Sequence, residues 1–179
     1  MIREILKFPD PRLKRKAAAV ENLNGEVARV VEDMAETMYA APGVGLAATQ
    51  ISVPRRIITV DVDSREPGKG LLRLINPVIT GREGETVWEE GCLSVVDFTA
   101  EVRRAAEVEV KAWTLDEKEI TLQANGLLAV ALQHEIDHLD GRLFIDRISR
   151  LKREIYARRV RKLLKEGRPL ESKKGPPLI

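Results

Sequence analysis

The stretch Gln133-His134-Glu135-Ile136-Asp137-His138 decides how this chain is read. It holds both of the chain's histidines, with a glutamate directly after the first. On a helix, positions i and i+4 stack on one face, so two imidazoles at that spacing can grip one metal ion. Glu135 falls about 100° further round the helix, near enough to reach a water at such an ion without being a ligand. The arrangement separates two jobs: neutral donors hold the ion, and a carboxylate moves protons. The plain alternative is a surface helix that happens to carry two histidines.

Working outward, Asn125 is placed to cap the helix that carries the histidines, and Gly141 to stop it after Leu139. Leu127, Val130 and Ala131 fall one to two turns before His134 on the metal-facing side. They suit either an apolar wall for a substrate side chain or ordinary core packing. Upstream, Glu107–Trp113 alternates with Val108, Val110 and Ala112 on one side, and Glu119–Gln123 follows a turn, which predicts a hairpin. Arg56–Asp63 and Leu71–Asn76 read as strands around a loop, Ser64–Gly70. Asn24 caps a helix expected to run to about Ala41, with Val27, Val30, Val31, Met34 and Met38 facing the core. Pro42-Gly43-Val44-Gly45 ends it and opens a tight, exposed backbone. Phe8-Pro9-Asp10-Pro11 breaks regular structure, making the first ten residues an extended arm.

Downstream, a helix is expected from near Asp146–Ser149 to Glu166, with Leu151, Ile155, Leu163 and Leu164 as a broken apolar stripe among arginines and lysines. Beyond Gly167 the composition is that of a disordered tail. Residues 147–179 hold 12 Lys+Arg against 3 Asp+Glu, whereas the chain's total charge is only +2. The basic character therefore belongs to this extension. The expected organisation is a catalytic domain over residues 1–146, with 147–179 as a basic helix and tail of the same single-domain protein. At 179 residues with 44% hydrophobic and 32% charged positions, the chain can bury a core, and no run reaches membrane-spanning length. One cysteine permits no intrachain disulfide, so a cytoplasmic protein is expected.

Two histidines leave a catalytic site one ligand short. Glu154, Glu166 and Glu171 lie downstream, all in the basic extension. The alternative is upstream, in Glu90-Gly91-Cys92-Leu93-Ser94. A lone cysteine is often a buried apolar filler, but one at a strand edge after a glycine is well placed to reach a neighbouring helix.

Three stretches together resemble the signature motifs of the bacterial type of the peptide deformylase family, in its order and spacing. They are Gly43-Val44-Gly45-Leu46-Ala47-Ala48-Thr49-Gln50, Glu90-Gly91-Cys92-Leu93-Ser94 and Gln133-His134-Glu135-Ile136-Asp137-His138-Leu139-Asp140-Gly141. Pro9-Asp10-Pro11-Arg12-Leu13 is similar to the family's start, so the likeness covers roughly residues 1–150. The resemblance implies hydrolysis of the N-formyl group of the N-terminal formyl-methionine of new proteins, with release of formate. It implies Cys92, His134 and His138 as ligands of one divalent ion, ferrous iron, where the same donors accept zinc, nickel or cobalt. Glu135 is implied as the proton carrier, with the Gln50 side-chain amide and the Leu93 backbone N–H at the formyl oxygen. Gly43, Val44, Gly45, Glu90 and Gly91 are expected along the substrate, and Arg104 in a structural or substrate-backbone role. One departure stands out: Val96-Asp97 replace a proline and its successor in a segment that flanks the family's peptide cleft.

The fold implied is α+β, with small antiparallel sheets packed around the metal-binding helix and the basic helix outside. Expected partners are N-formylmethionyl peptides and nascent chains, with ribosomal RNA as a contact for the basic helix, and no membrane. Two other readings remain at this point. A zinc peptidase would need a downstream third ligand, and an RNA-binding module would rest on the basic extension alone.

Overall fold

Alternating apolar residues build two antiparallel sheets. The first has five strands: β1 (Gly45–Ala47), β2 (Ile57–Val60), β3 (Leu72–Glu83), β6 (Glu107–Trp113) and β7 (Glu119–Asn125), side by side in that order. The second is a hairpin of β4 (Thr86–Cys92) and β5 (Val95–Arg104). Three helices, α1 (Gly25–Ala40), α2 (Gly126–Leu139) and α3 (Arg150–Lys165), complete the described part of this computed structural model, which covers residues 1–63, 66 and 68–170. Part of the expected 64–70 loop and the last nine tail positions, Glu171 among them, lie outside the described residues.

The three helices divide the core. Ala129, Val130, Ala131, Leu132, Ile136 and Leu139 of α2 pack on Ile58, Val60, Leu74, Val108 and Val110 of the large sheet. Val31, Met34 and Met38 of α1 pack with Leu46, Ile57, Ile75 and Leu93. Tyr156 and Val160 of α3 pack with Cys92, Val95 and Val102 of the hairpin, and with Leu143, Phe144 and Ile145. Every residue of α2 from Ala129 to Leu139 is buried, so this helix lies inside the molecule. No helix among the described residues is long and apolar enough to cross a membrane.

Several expectations need correction. The strand expected to end at Asn76 runs on to Glu83, because a register shift between Ile75 and Val78 carries the pairing with β6 past Asn76-Pro77. The β4–β5 hairpin, absent from the sequence reading, carries Cys92 at the end of β4. Asn125 stands at the N-cap of α2, but its side chain makes no capping hydrogen bond. The apolar stripe of α3 is Tyr156 and Val160, one turn apart, whereas Leu151, Ile155 and Leu164 face solvent. An aromatic cluster explains that rotation: the Tyr156 ring lies 4.7 Å from Phe98 and 5.7 Å from Phe8, centroid to centroid. Since α3 shares its core with Cys92, it is packed into the same unit as the strands and not appended to them.

Candidate metal centre

Helical geometry puts His134 and His138 on one face of α2, and the turn after β4 brings Cys92 against them. The Nε2 atoms of the two histidines are 3.2 Å apart, and His138 Nε2 is 3.2 Å from Cys92 Sγ. All three residues are buried, and their donor atoms lie within 4.8 Å of one another. Bond lengths of about 2.0–2.3 Å to a tetrahedral ion put neighbouring ligand atoms roughly 3.3–3.8 Å apart. The three donors therefore fit one divalent cation with little rearrangement.

With no ion between them, the two histidines differ in their hold on a proton. Burial lowers the His134 pKa, but its hydrogen-bonded neighbours Cys92 and Glu90 outweigh burial and carry it up to about 10. Burial, then the charge of His134, holds His138 well below its usual value. The charge of one imidazole disfavours a second beside it.

Behind His134 stands a chain of buried charges. Glu90 on β4 approaches His134 Nδ1 at 2.8 Å, which leaves Nε2 as the ligand atom. Arg104 on β5 donates to both oxygens of Glu90, at 2.6 and 2.8 Å, and at 2.5 Å to Asp137. Arg147 closes the chain with two bonds to Asp137, at 2.5 and 2.6 Å. Burial would raise the Glu90 carboxyl, but Arg104 and His134 hold it below its usual range. All three Arg104 side-chain nitrogens are thus engaged by buried carboxylates. The Glu90 carboxylate faces the histidine and the arginine.

Glu135 points elsewhere. Its carboxylate lies against Gly45, where an added Cβ would overlap it. Burial drives its pKa up to about 7, and its Oε2 has no hydrogen-bond partner. Gly43 leaves comparable room for the Leu93 side chain, 2.7 Å from where its Cβ would be. The expected glycines thus make space for site residues. They also belong to β1 and its approach, at the edge of the large sheet, where an added strand could pair.

Gln50 lies in a 3-10 turn after β1 and is buried. Its Oε1 accepts from the Ala47 N–H at 2.8 Å, and its Nε2 donates to Ser94 Oγ at 3.1 Å and sits 3.7 Å from Cys92 Sγ. Ser94 N–H points to the same sulfur, at 3.4 Å. Leu127 is partly buried, Val130 and Ala131 fully, all in the α2 core cluster, which favours the packing alternative for them. Val96 and Asp97 are tied to α3: Tyr156 donates to the Val96 carbonyl at 3.1 Å and Arg159 to the Asp97 carbonyl at 3.5 Å.

Two contributors escaped the sequence reading. Asp137 was quotable but unassigned, although a buried acid on a helix with Gln133 and Gly141 four positions either side needs a cation from elsewhere. Lys7 carried no signal at all. Its Nζ donates to the Leu93 carbonyl at 2.5 Å.

Most of the chain is similar to known proteins. A family model described as Polypeptide deformylase matches residues 2–154. The peptide deformylase of Syntrophobacter fumaroxidans is 52% identical over 166 residues, spanning 93% of this chain and 98% of that one. Among solved structures, the peptide deformylase from Legionella pneumophila superposes with a TM-score of 0.84 at 42% identity, over 94% of this chain and 100% of that one. The one from Thermus thermophilus gives 0.83 at 41% identity, over 93% and 97%.

Proposed function

This chain belongs to the peptide deformylase family, and from that premise we propose that it hydrolyses the formyl amide of N-terminal formyl-methionine, releasing formate and a free amine. The observation that carries the proposal is the convergence of Cys92 Sγ and the two histidine Nε2 atoms beside the buried carboxylate of Glu135. Cys92, His134 and His138 are the residues that hold the ion in this reading. Ferrous iron is the native metal that the family resemblance implies, and thiolate and imidazole donors accept it as they accept zinc, nickel or cobalt. When bound, such a cation supplies Lewis acidity, making hydroxide available near neutral pH.

The chain's own residues do the rest. Glu135 takes the proton of the attacking water, and its raised pKa suits a group that must also give that proton back. The proton passes to the departing amine nitrogen as the formyl C–N bond breaks. Negative charge developing on the formyl oxygen is met by the Gln50 amide and the Leu93 N–H. Each such donor is worth about 3–4 kcal/mol in the transition state. Glu90 and Arg104 hold His134 in its ligand tautomer. The substrate backbone pairs with the edge at Gly43-Val44-Gly45, and Gly91 of β4 lies along the substrate in this reading.

The test is formate release from a formyl-methionyl peptide by iron-loaded protein prepared without oxygen. Glu135→Gln should lower kcat by about 10²–10⁴-fold while keeping its metal. Wild-type protein that holds iron yet releases no formate would overturn the assignment. We propose further that the enzyme acts in the cytoplasm and that α3 touches ribosomal RNA through its exposed basic residues. Salt-dependent co-sedimentation with ribosomes tests that contact.

A further inference from the structure

The N-terminal arm grips the candidate site at three successive residues. Leu6 N–H donates to the Gln50 carbonyl at 2.7 Å, and Phe8 N–H to the Ser94 carbonyl at 2.8 Å. Between them, Lys7 Nζ donates to the Leu93 carbonyl at 2.5 Å. The two segments that supply Gln50 and Cys92–Ser94 are otherwise joined here by the Gln50 side-chain amide, which reaches Ser94 Oγ and Cys92 Sγ. A stretch with no catalytic group of its own therefore spans the two loops that carry the proposed oxyanion donors.

The position of Lys7 has an electronic consequence. The Leu93 carbonyl and the Ser94 N–H are the two ends of one peptide unit. An ammonium on the carbonyl oxygen polarises that unit and makes the N–H at its other end a stronger donor. That N–H points at Cys92 Sγ, at 3.4 Å. We propose that Lys7 is a positioning residue of the deformylase site: it fixes the Cys92–Ser94 turn and, through the Leu93–Ser94 peptide, draws electron density from the Cys92 sulfur. A sulfur so held donates less charge to a cation, which stays more acidic, and the Leu93 N–H stays in register with Gln50. The inference rests on the ligand role proposed above for Cys92.

The test compares cobalt-loaded full-length protein with its Lys7→Met and Lys7→Arg variants. Without the ammonium, the sulfur becomes a better electron donor, so the sulfur-to-cobalt charge-transfer band of Lys7→Met should move to lower energy. Lys7→Arg, which keeps a charged donor, should restore the wild-type band. In the iron-loaded enzymes, kcat of Lys7→Met should fall on the order of tenfold with KM within about twofold. A band unmoved in Lys7→Met overturns the proposal, as does one moved equally in Lys7→Arg. If Lys7→Met does not fold, Lys7→Gln, which keeps an N–H donor without the charge, takes its place: its band should move in the same direction, and an unmoved band overturns the proposal. Because the band is read without substrate, its result is separate from whether wild-type protein releases formate. Absence of any sulfur-to-cobalt band in wild-type protein would overturn the ligand assignment beneath it.

Discussion

Glu90 is a fully buried carboxylate whose charge is answered by Arg104 on one side and His134 on the other. Removing one member of a buried pair strands its partner, at about 3–5 kcal/mol. Asp137 also holds Arg104, so Glu90→Gln should fall at the low end of that range. Its larger effect should be on the metal. Without a carboxylate at Nδ1, His134 loses the partner that fixes its ligand tautomer, and affinity should drop about 10–100-fold. Thermal unfolding and competition with a chelator for cobalt measure the two separately; unchanged cobalt affinity would deny Glu90 its orienting role. His134, Glu135 and His138 stand out together in the sequence because spacing on a helix is local, whereas Cys92 joins them only through the family resemblance. Glu90 and Arg104 were visible, but their pairing was not, since nothing in a sequence tells which way a charged strand residue points. Lys7 was silent because a long side chain meeting a carbonyl across the fold leaves no pattern.

The first helix was readable from period and cap: Val31, Met34 and Met38 repeat as a helix face, and Asn24 accepts from the N–H groups of Glu26 and Val27 at 3.1 Å. The β4–β5 hairpin was not, although Ala100 and Val102 alternate inward. The next inward position is Arg104, and on β4 it is Glu90 that is buried while Val87 is 51% exposed. The ion pair thus inverts the polarity on which strand reading depends. The error over α3 bears on the ribosome proposal. Deleting residues 147–179 would also strip Tyr156 and Val160 from the core around Cys92, and losing a large buried aromatic costs about 3–5 kcal/mol by itself. Charge reversal at the exposed Lys152, Arg158, Arg161 and Lys165 is the cleaner variant. It should weaken ribosome co-sedimentation and flatten its salt dependence, while formate release from short peptides stays within about twofold of wild type. Ribosome binding that survives the reversal would remove α3 from the contact.

Across the whole molecule, both tyrosines of the chain are anchored. Tyr39 is pushed up to about 12 by burial and by its 2.5 Å hydrogen bond to Asp61. Burial also raises Tyr156, which donates to the Val96 carbonyl. Raised folded-state values favour the neutral phenol, so this stabilisation is fully present below the ordinary value near 10 and is lost as pH climbs through the folded ones. At about pH 11 the folded protein should therefore show little tyrosinate absorbance, and denaturant added at that pH should bring it out. Full tyrosinate signal before unfolding would contradict the described environment of Tyr39. The fold as a whole was legible as α+β, and what the sequence hid was long-range partnership. Cys92 and His138 meet across 46 positions of sequence. At roughly 5–20 residues per second of synthesis, the chain's single cysteine waits about 2–9 s for its second histidine to be made. Once folded, that thiol is closed to solvent. The newborn chain, rather than the finished enzyme, is where the bare sulfur meets bulk oxidants.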